Sequence, residues 1–496
     1  MTVLEALTQA AKMHAQPLFL TAQDDTSGTQ VLQRSESLAK DLSALGARRI
    51  ATVIDNGPSW LIADMAIQHQ GLVHIPLPAF FHPSQIIHAL KSAAVDVLIS
   101  DQPLSQFGSA TDLTESSLRA WAIPVSRPVS LPDRTALITF TSGTTGEPKG
   151  VCLSTQHLER VAMSLTEISR QTGATRHLSL LPLGVLLEQV AGAHATLLVG
   201  GQLCLPSLAE TGLSGASRVD GEVLARCLRQ YRAHSAILLP QMLDALCAAL
   251  EQGAPPPTQL RFLAVGGGRV SPSAIERALA LGLPVYQGYG LSETGSVLCL
   301  EMPNQRRAGS VGKPLPGRQV RVDQGHQVWV DDPGFLGYLG ERAFSGHAYP
   351  TGDLGHFDDD GFLHLHGRQS NVLITAFGRN VSPEWLESEL VAHPLIAQAF
   401  VCGDAEAWLQ AVLVPTPADA TEADIERAVV EVNAGLPDYA RIGGYVRAPP
   451  FAQTDGLITS NGRLRRMALQ AHYSKQLDAL WDRKQASLQV AATAGN

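Results

Sequence analysis

The feature that most constrains this chain is an alternation. Short apolar, β-branched runs keep giving way to segments with helical periodicity. RIATVIDN (Arg49–Asn56) has the composition of a buried strand, and SWLIADMAIQHQG (Ser59–Gly71) follows as a helix capped by Ser59 and stopped by Gly71. LVHIPL, HPSQIIHALKSAA and VDVLIS continue as strand, helix, strand. The same order returns at SAILLP, QMLDALCAALEQG, LRFLAVGGG, SPSAIERALALG and LPVYQGYG. Parallel strands can be joined only by a crossover, so this repetition predicts an α/β fold with parallel sheets covered by helices.

After about Gly309 the texture changes. VRVDQGHQVWVDDPG and GFLHLHGR read as short alternating strands with tight turns, a small antiparallel element. Past Gly367 comes a strand, the helix SPEWLESELVAHP, two more strands (IAQAFVCG, LQAVLVPT) and the helix TEADIERAVVEVNAGL. We therefore expect a large N-terminal domain, residues 1–368, of mostly parallel sheets with flanking helices plus the small β element. A smaller α+β domain, residues 369–496, would follow, its small, polar end from Ser487 frayed.

Charge and cysteine usage narrow the function. Among 496 residues, 37 Lys and Arg stand against 46 Asp and Glu, and the net charge of −9 argues against a nucleic-acid or polybasic membrane binder. The six cysteines show no C-x-x-C pair and read as reduced core residues, which points to the cytoplasm. No run approaches a spanning length, and the N-terminus lacks a secretory apolar core. His364 and His366 share one strand face without an apparent third ligand, so solvent-facing histidines are expected there rather than a metal.

The segment ITFTSGTTGEPKGV holds the densest chemistry. Between two strands it sets Thr141, Ser142, Gly143, Thr144, Thr145 and Gly146, then Lys149. Hydroxyls, unencumbered backbone N–H groups and one cation are what wraps phosphate oxygens. The order is not that of a Walker A loop, because Glu147 and Pro148 precede the lysine. VGGGRVSP likewise lacks the spacing of a dinucleotide fingerprint.

The string TSGTTGEPKG resembles the signature loop of the adenylate-forming superfamily: acyl- and aryl-CoA ligases, luciferases and the adenylation domains of peptide synthetases. The resemblance continues in order through VGGGRVSP (Val265–Pro272), QGYGLSETG (Gln287–Gly295), YPTGDLG (Tyr349–Gly355) and GRQSNVLITAFGRNVSPEWLE (Gly367–Glu387). Its spacing is most like that of long-chain fatty acyl ligases. It implies ATP as co-substrate, with the loop and Lys149 on the β- and γ-phosphates, and Gly267, Gly268 and Tyr289 around adenine. Gln287, Gly288 and Gly290 complete that nucleotide element. Ser292 would bond the α-phosphate, Glu293 would hold Mg²⁺, and Asp353 would accept from both ribose hydroxyls, with Arg368 as a second ribose or phosphate contact. It also implies a mobile C-terminal domain with its hinge at Ser370 and a thiol tunnel lined by Gly378, Arg379 and Asn380.

Two departures stand out. Where relatives read L-P-L-x-H-x-F-E, this chain has LPLGVLLE, so Val185, Leu186 and Leu187 would line an apolar acyl pocket. Where relatives carry a catalytic lysine near the C-terminus, Arg463 stands. The implied reaction is activation of an apolar fatty or aryl acid as its adenylate, then transfer to a thiol, either CoA or the phosphopantetheine of an acyl carrier protein. The alternatives are an amide-forming or luciferase-like acceptor and, because of Arg463, a nucleotide-binding protein without turnover.

Overall fold

A computed structural model describes the chain except residues 14–17, 126, 142–148, 215–217, 375–379, 405, 407, 460, 461, 495 and 496. Proline decides where the first crossover helix begins. Pro58 occupies the first turn, its fixed φ suiting a position whose N–H would be unpaired anyway, so the helix runs Pro58–His69 with Gly57 as cap. Ser59 is therefore inside the helix instead of capping it, and its hydroxyl reaches Glu115 Oε1 at 3.2 Å. Every residue from Trp60 to Ile67 is buried, so this helix is packed on all sides. Its one charge, Asp64, is held by His74 and His194, each at 2.9 Å, and by Gln68 and Gln189. Burial alone would raise this carboxyl, but the bonds from His194 and His74 carry it well below the usual carboxylate range.

Among the described residues the large domain contains two eight-stranded sheets. The first runs in the order Phe335–Tyr338, Lys149–Leu153, Leu137–Thr141, Val73–Pro76, Arg49–Val53, Val97–Ser100, Arg119–Ala122, Thr111–Asp112. The second runs Phe19–Leu20, Gln202–Cys204, Arg176–Leu178, Ser235–Leu238, Phe262–Val265, Val285–Tyr289, Cys299–Leu300, Lys313–Pro314. The expected parallel pairing holds where helices cross over, as between Ser235–Leu238 and Phe262–Val265. Hairpin connections make both sheets mixed: the strands Leu137–Thr141 and Lys149–Leu153 pair antiparallel, with Thr141 opposite Lys149. Asn56 ties the sheets together. Its side chain donates to the carbonyls of Ser179 and Leu181 and accepts from the Leu183 amide, fixing the segment that leads into Val185–Leu187.

The small β element is a four-stranded sheet of Gln319–Val322, Gln327–Asp331, Ala348–Phe357 and Leu363–Arg368. The strand Ala348–Phe357 contains the T-G-D residues, and the Asp358–Gly361 turn closes its hairpin, with Asp358 Oδ1 accepting from the amides of Asp360 and Phe362. C-terminal to it, Ile396–Cys402, Leu409–Pro415 and Ile442–Arg447 form a three-stranded sheet with the helices Pro383–Val391 and Glu422–Ala434. Its core, built on Leu386, Leu390, Leu413 and Ile425, is a separate cluster. The last helix, Arg466–Ala494, runs on through the stretch expected to fray. All six cysteines are free thiols and buried.

Candidate active site

Four segments far apart in sequence meet where the second sheet, the four-stranded sheet and the C-terminal domain come together. The first is the turn after Phe262–Val265. Gly267 has φ +77°, a conformation open to glycine at little cost. Its carbonyl accepts a hydrogen bond from Arg463 Nη2 at 3.1 Å. Gly268 follows against Pro240. Next door, Arg269 Nη1 donates to the His366 carbonyl at 3.2 Å, tying the glycine turn to the strand that ends in Arg368.

The second segment is Val285–Tyr289 and the turn after it. Gln287 is fixed through its amide, which donates to Glu301 Oε2 at 2.9 Å. Gly288 lies beside Leu300 across the strand pair. At Gly290 a Cβ would lie 1.6 Å from the Ser296 carbonyl oxygen, so only glycine lets the chain turn here. One short helical turn, Ser292–Thr294, then presents Glu293 half-buried. The Thr294 carbonyl beneath it accepts from Arg318 Nη2 at 3.1 Å and lies 3.0 Å from His157 Nε2. Burial carries His157 down to a pKa of about 4, so the ring is neutral at pH 7.

The third segment is the strand Ala348–Phe357. Asp353 is 7% exposed. Its Oδ2 accepts the Tyr289 hydroxyl at 2.6 Å, and Arg368 Nε lies 2.8 Å from its Oδ1, directly across the strand pair. Burial raises the carboxyl above its usual range, against the pull of Arg368 and the Tyr289 bond. A carboxylate offers about four lone-pair sites, so both oxygens keep capacity for further hydroxyl donors.

The fourth segment is the short turn before the last helix. Thr459 N donates to the Arg463 carbonyl at 2.8 Å, and Arg463 N to Thr459 Oγ1 at 3.1 Å. The Arg463 side chain is exposed, and its guanidinium lies close enough to Arg368, Asp353 and Glu293 to feel their charges. Asp353 and Glu293 favour the cation, and a guanidinium stays charged whatever its neighbours. Arg466 is committed elsewhere, to Glu384 and Glu387 beneath it.

Thr141 and Lys149 flank the loop; Ser142, Gly143, Thr144, Thr145 and Gly146 lie outside the described residues. Lys149 is exposed, 3.9 Å from Glu341 and 5.0 Å above the centre of the Tyr338 ring. Among the acyl-pocket candidates, Leu186 is core, while Val185 and Leu187 are half-buried just before a π-helix, Glu188–His194. Ser370 falls in the turn Gln369–Asn371. Gly378 and Arg379 lie outside the described residues, and Asn380 belongs to the short strand Asn380–Val381. His364 is paired with Asp358 at 3.2 Å, while His356 and His366 are exposed and 3.0 Å apart through ring nitrogens. Among the described residues no group of three or more His, Cys, Asp or Glu could hold a metal. Glu293 alone suits a hard cation that takes one carboxylate, keeps waters and binds mostly to nucleotide phosphates.

Sequence reasoning missed Tyr338, Tyr349, His157, Arg318 and Arg269. Their roles depend on side chains meeting across sheets, and no local spacing marks them.

The AMP-binding enzyme model matches residues 7–346, and the model of the AMP-binding enzyme C-terminal domain matches 370–485. The chain is an AMP-binding enzyme. It is 32% identical to the long-chain-fatty-acid–CoA ligase FadD15 of Mycobacterium bovis over 233 residues, 41% of this chain and only 39% of that relative. It is 27% identical to the 2-succinylbenzoate–CoA ligase of Bacillus mycoides over 436 residues, 80% of this chain and 85% of the relative. The structure of the Bacillus subtilis O-succinylbenzoate coenzyme A synthetase with ATP and magnesium ion superposes with a TM-score of 0.76. It covers 93% of this chain and 98% of that one at 21% identity, a likeness of fold. Among the described residues, no helix of this AMP-binding enzyme is long and apolar enough to cross a membrane.

Proposed function

We propose that this enzyme activates a carboxylic acid with ATP and passes the acyl group to a thiol, CoA in the first instance. A substrate carboxylate oxygen attacks the α-phosphorus, and pyrophosphate leaves. The thiol sulfur then attacks the acyl carbon, AMP leaves, and the thiol proton is released to solvent. The observation that carries this reading is the convergence of Asp353, Arg368, Glu293 and Arg463 from separate segments and both domains. In-line phosphoryl chemistry asks for little covalent work from the protein and much positioning and charge.

On this reading Asp353 and Arg368 hold the ribose, and Tyr289 with the Gly267–Gly268 turn holds the base. Thr141 through Gly146 and Lys149 hold the outer phosphates, and Ser292 reaches the α-phosphate. Mg²⁺ on Glu293 would neutralise phosphate charge. Arg463 keeps the cation that family members supply with lysine, and its position beside Gly267, Asp353 and Glu293 argues against the reading without turnover. Val185, Leu186 and Leu187 point to an apolar acid, and the 2-succinylbenzoate and fatty-acid ligases bracket the choice between aryl and alkyl. Ser370 is the proposed hinge between domains 1–368 and 369–496, with Gly378, Arg379 and Asn380 on the thiol path. The buried free thiols fit a cytoplasmic setting.

The test is pyrophosphate release with a panel of aryl and alkyl acids, using hydroxylamine to trap acyl-adenylate and loss of free CoA thiol to score transfer. ATP binding without pyrophosphate release for any acid would sink the reading. Adenylate formation without consumption of CoA would move the acceptor to a carrier-protein thiol or an amine.

A further inference from the structure

Tyr338 touches three functional groups at once. Its strand, Phe335–Tyr338, lies antiparallel to Lys149–Leu153, the strand that leaves the phosphate loop, with Tyr338 opposite Val151. That register carries the Lys149 ammonium over the ring, 5.0 Å from its centre. The hydroxyl donates to Glu293 Oε1 at 2.8 Å and lies 3.0 Å from the Tyr349 hydroxyl. The ring itself has little freedom: Phe335 meets it edge-on at 4.8 Å and also packs on Tyr349 and Phe344. A packed ring aims its hydroxyl, so the direction of the bond to Glu293 is built into the hydrophobic cluster beneath.

We propose that Tyr338 is a positioning residue for the magnesium–ATP complex, orienting the Glu293 carboxylate through its hydroxyl and the Lys149 ammonium through its ring. The inference rests on the reading of Glu293 as the metal ligand. A free glutamate samples several rotamers, and a donor fixed on one carboxylate oxygen selects one of them while leaving lone pairs for a cation. Outer groups of this kind are worth about 10- to 100-fold in metal affinity at other sites. The same ring face stabilises a cation. One residue thus holds in register the two positive charges that would meet the triphosphate. A phenol keeps its proton at neutral pH, so the group stays a donor.

The test needs no acid substrate. ATP dissociation constants of the full-length chain are measured by calorimetry in EDTA and across a Mg²⁺ series, for wild type, Tyr338→Phe, Tyr338→Leu and Glu293→Gln. Tyr338→Phe keeps the ring: its affinity in EDTA should stay within about twofold, while the gain conferred by Mg²⁺ falls by ~10-fold. Tyr338→Leu should lose affinity in EDTA as well, through Lys149. Glu293→Gln should lose most of the Mg²⁺ gain. A full Mg²⁺ gain in Tyr338→Phe beside its loss in Glu293→Gln overturns the role of Tyr338 alone. A full gain in Glu293→Gln overturns the metal reading beneath it. A Tyr338→Phe protein weakened equally with and without Mg²⁺ makes the residue merely structural, which also overturns the proposal.

Discussion

Asp353 shows how a residue acquires its role from its surroundings. T-G-D by itself suggests a solvated turn, yet here the aspartate is 7% exposed on a ten-residue strand and bonded by Tyr289 and Arg368. Removing the carboxylate deletes the proposed acceptor of both ribose hydroxyls. Asp353→Ala should weaken ATP binding by about 1.5–3 kcal/mol, roughly ten- to a hundredfold, on titration of the folded variant. An unchanged affinity would move the ribose elsewhere. His157 is the opposite case, a buried ring that stays neutral. Its pKa falls from 6.5 to about 4, so between those values the unfolded chain binds a proton that the native one refuses. Stability therefore rises with pH across that window and is lost as acid is added, by up to about 3 kcal/mol from this one group. His157→Gln, still able to donate to the Thr294 carbonyl, should lose less stability than wild type between pH 7 and pH 4.5 in denaturant titrations. Parallel losses would show that another group sets the acid limb.

At the scale of elements, the turn that joins Val285–Tyr289 to Cys299–Leu300 carries Glu293, the proposed metal ligand. It is locally determined: Gly290 admits no side chain, and Gly295, at φ +75°, ends the short Ser292–Thr294 helix. Gly290→Ala should cost at least about 2 kcal/mol, because the obstacle at 1.6 Å is backbone and cannot rotate away. Thermal unfolding measures it, and ATP binding should fall with it because Glu293 rides on the same turn. A variant as stable as wild type would mean that the turn can open. Helix and strand order was readable here because apolar periodicity and glycine or proline punctuation are local signals. The strand Ala348–Phe357 was harder to read, since its T-G-D carries a glycine at φ +75° inside an otherwise paired strand. The helix start at Pro58 was misread for a similar reason: Ser59 is a good cap by type, but the proline before it already occupies the first turn.

At the scale of the whole molecule, Arg463 reaches across from the C-terminal domain to donate to the Gly267 carbonyl. If it is the adenylation cation, Arg463→Ala should slow pyrophosphate release by ~10²-fold or more, the cost of a lost transition-state donor. Arg463→Lys should keep part of the rate, since the charge remains while the planar fork is lost. Transfer from preformed acyl-adenylate to the thiol should change far less if the domain turns about Ser370 between steps. Equal slowing of both half-reactions, measured by quenched single turnovers, would exclude that assignment. The amino-acid sequence by itself determined the α/β class, the chain order of the motifs and the chemical types at the site, because hydrogen-bonding capacity, charge and backbone freedom belong to each residue. Only the tertiary structure decided that Tyr289 bonds Asp353, that Tyr338 stands between Lys149 and Glu293, and that His157 and Arg318 secure the Thr294 carbonyl. Those partners lie on different sheets and helices, and a bond of 3 Å between them follows from packing and register, which no spacing along the chain encodes.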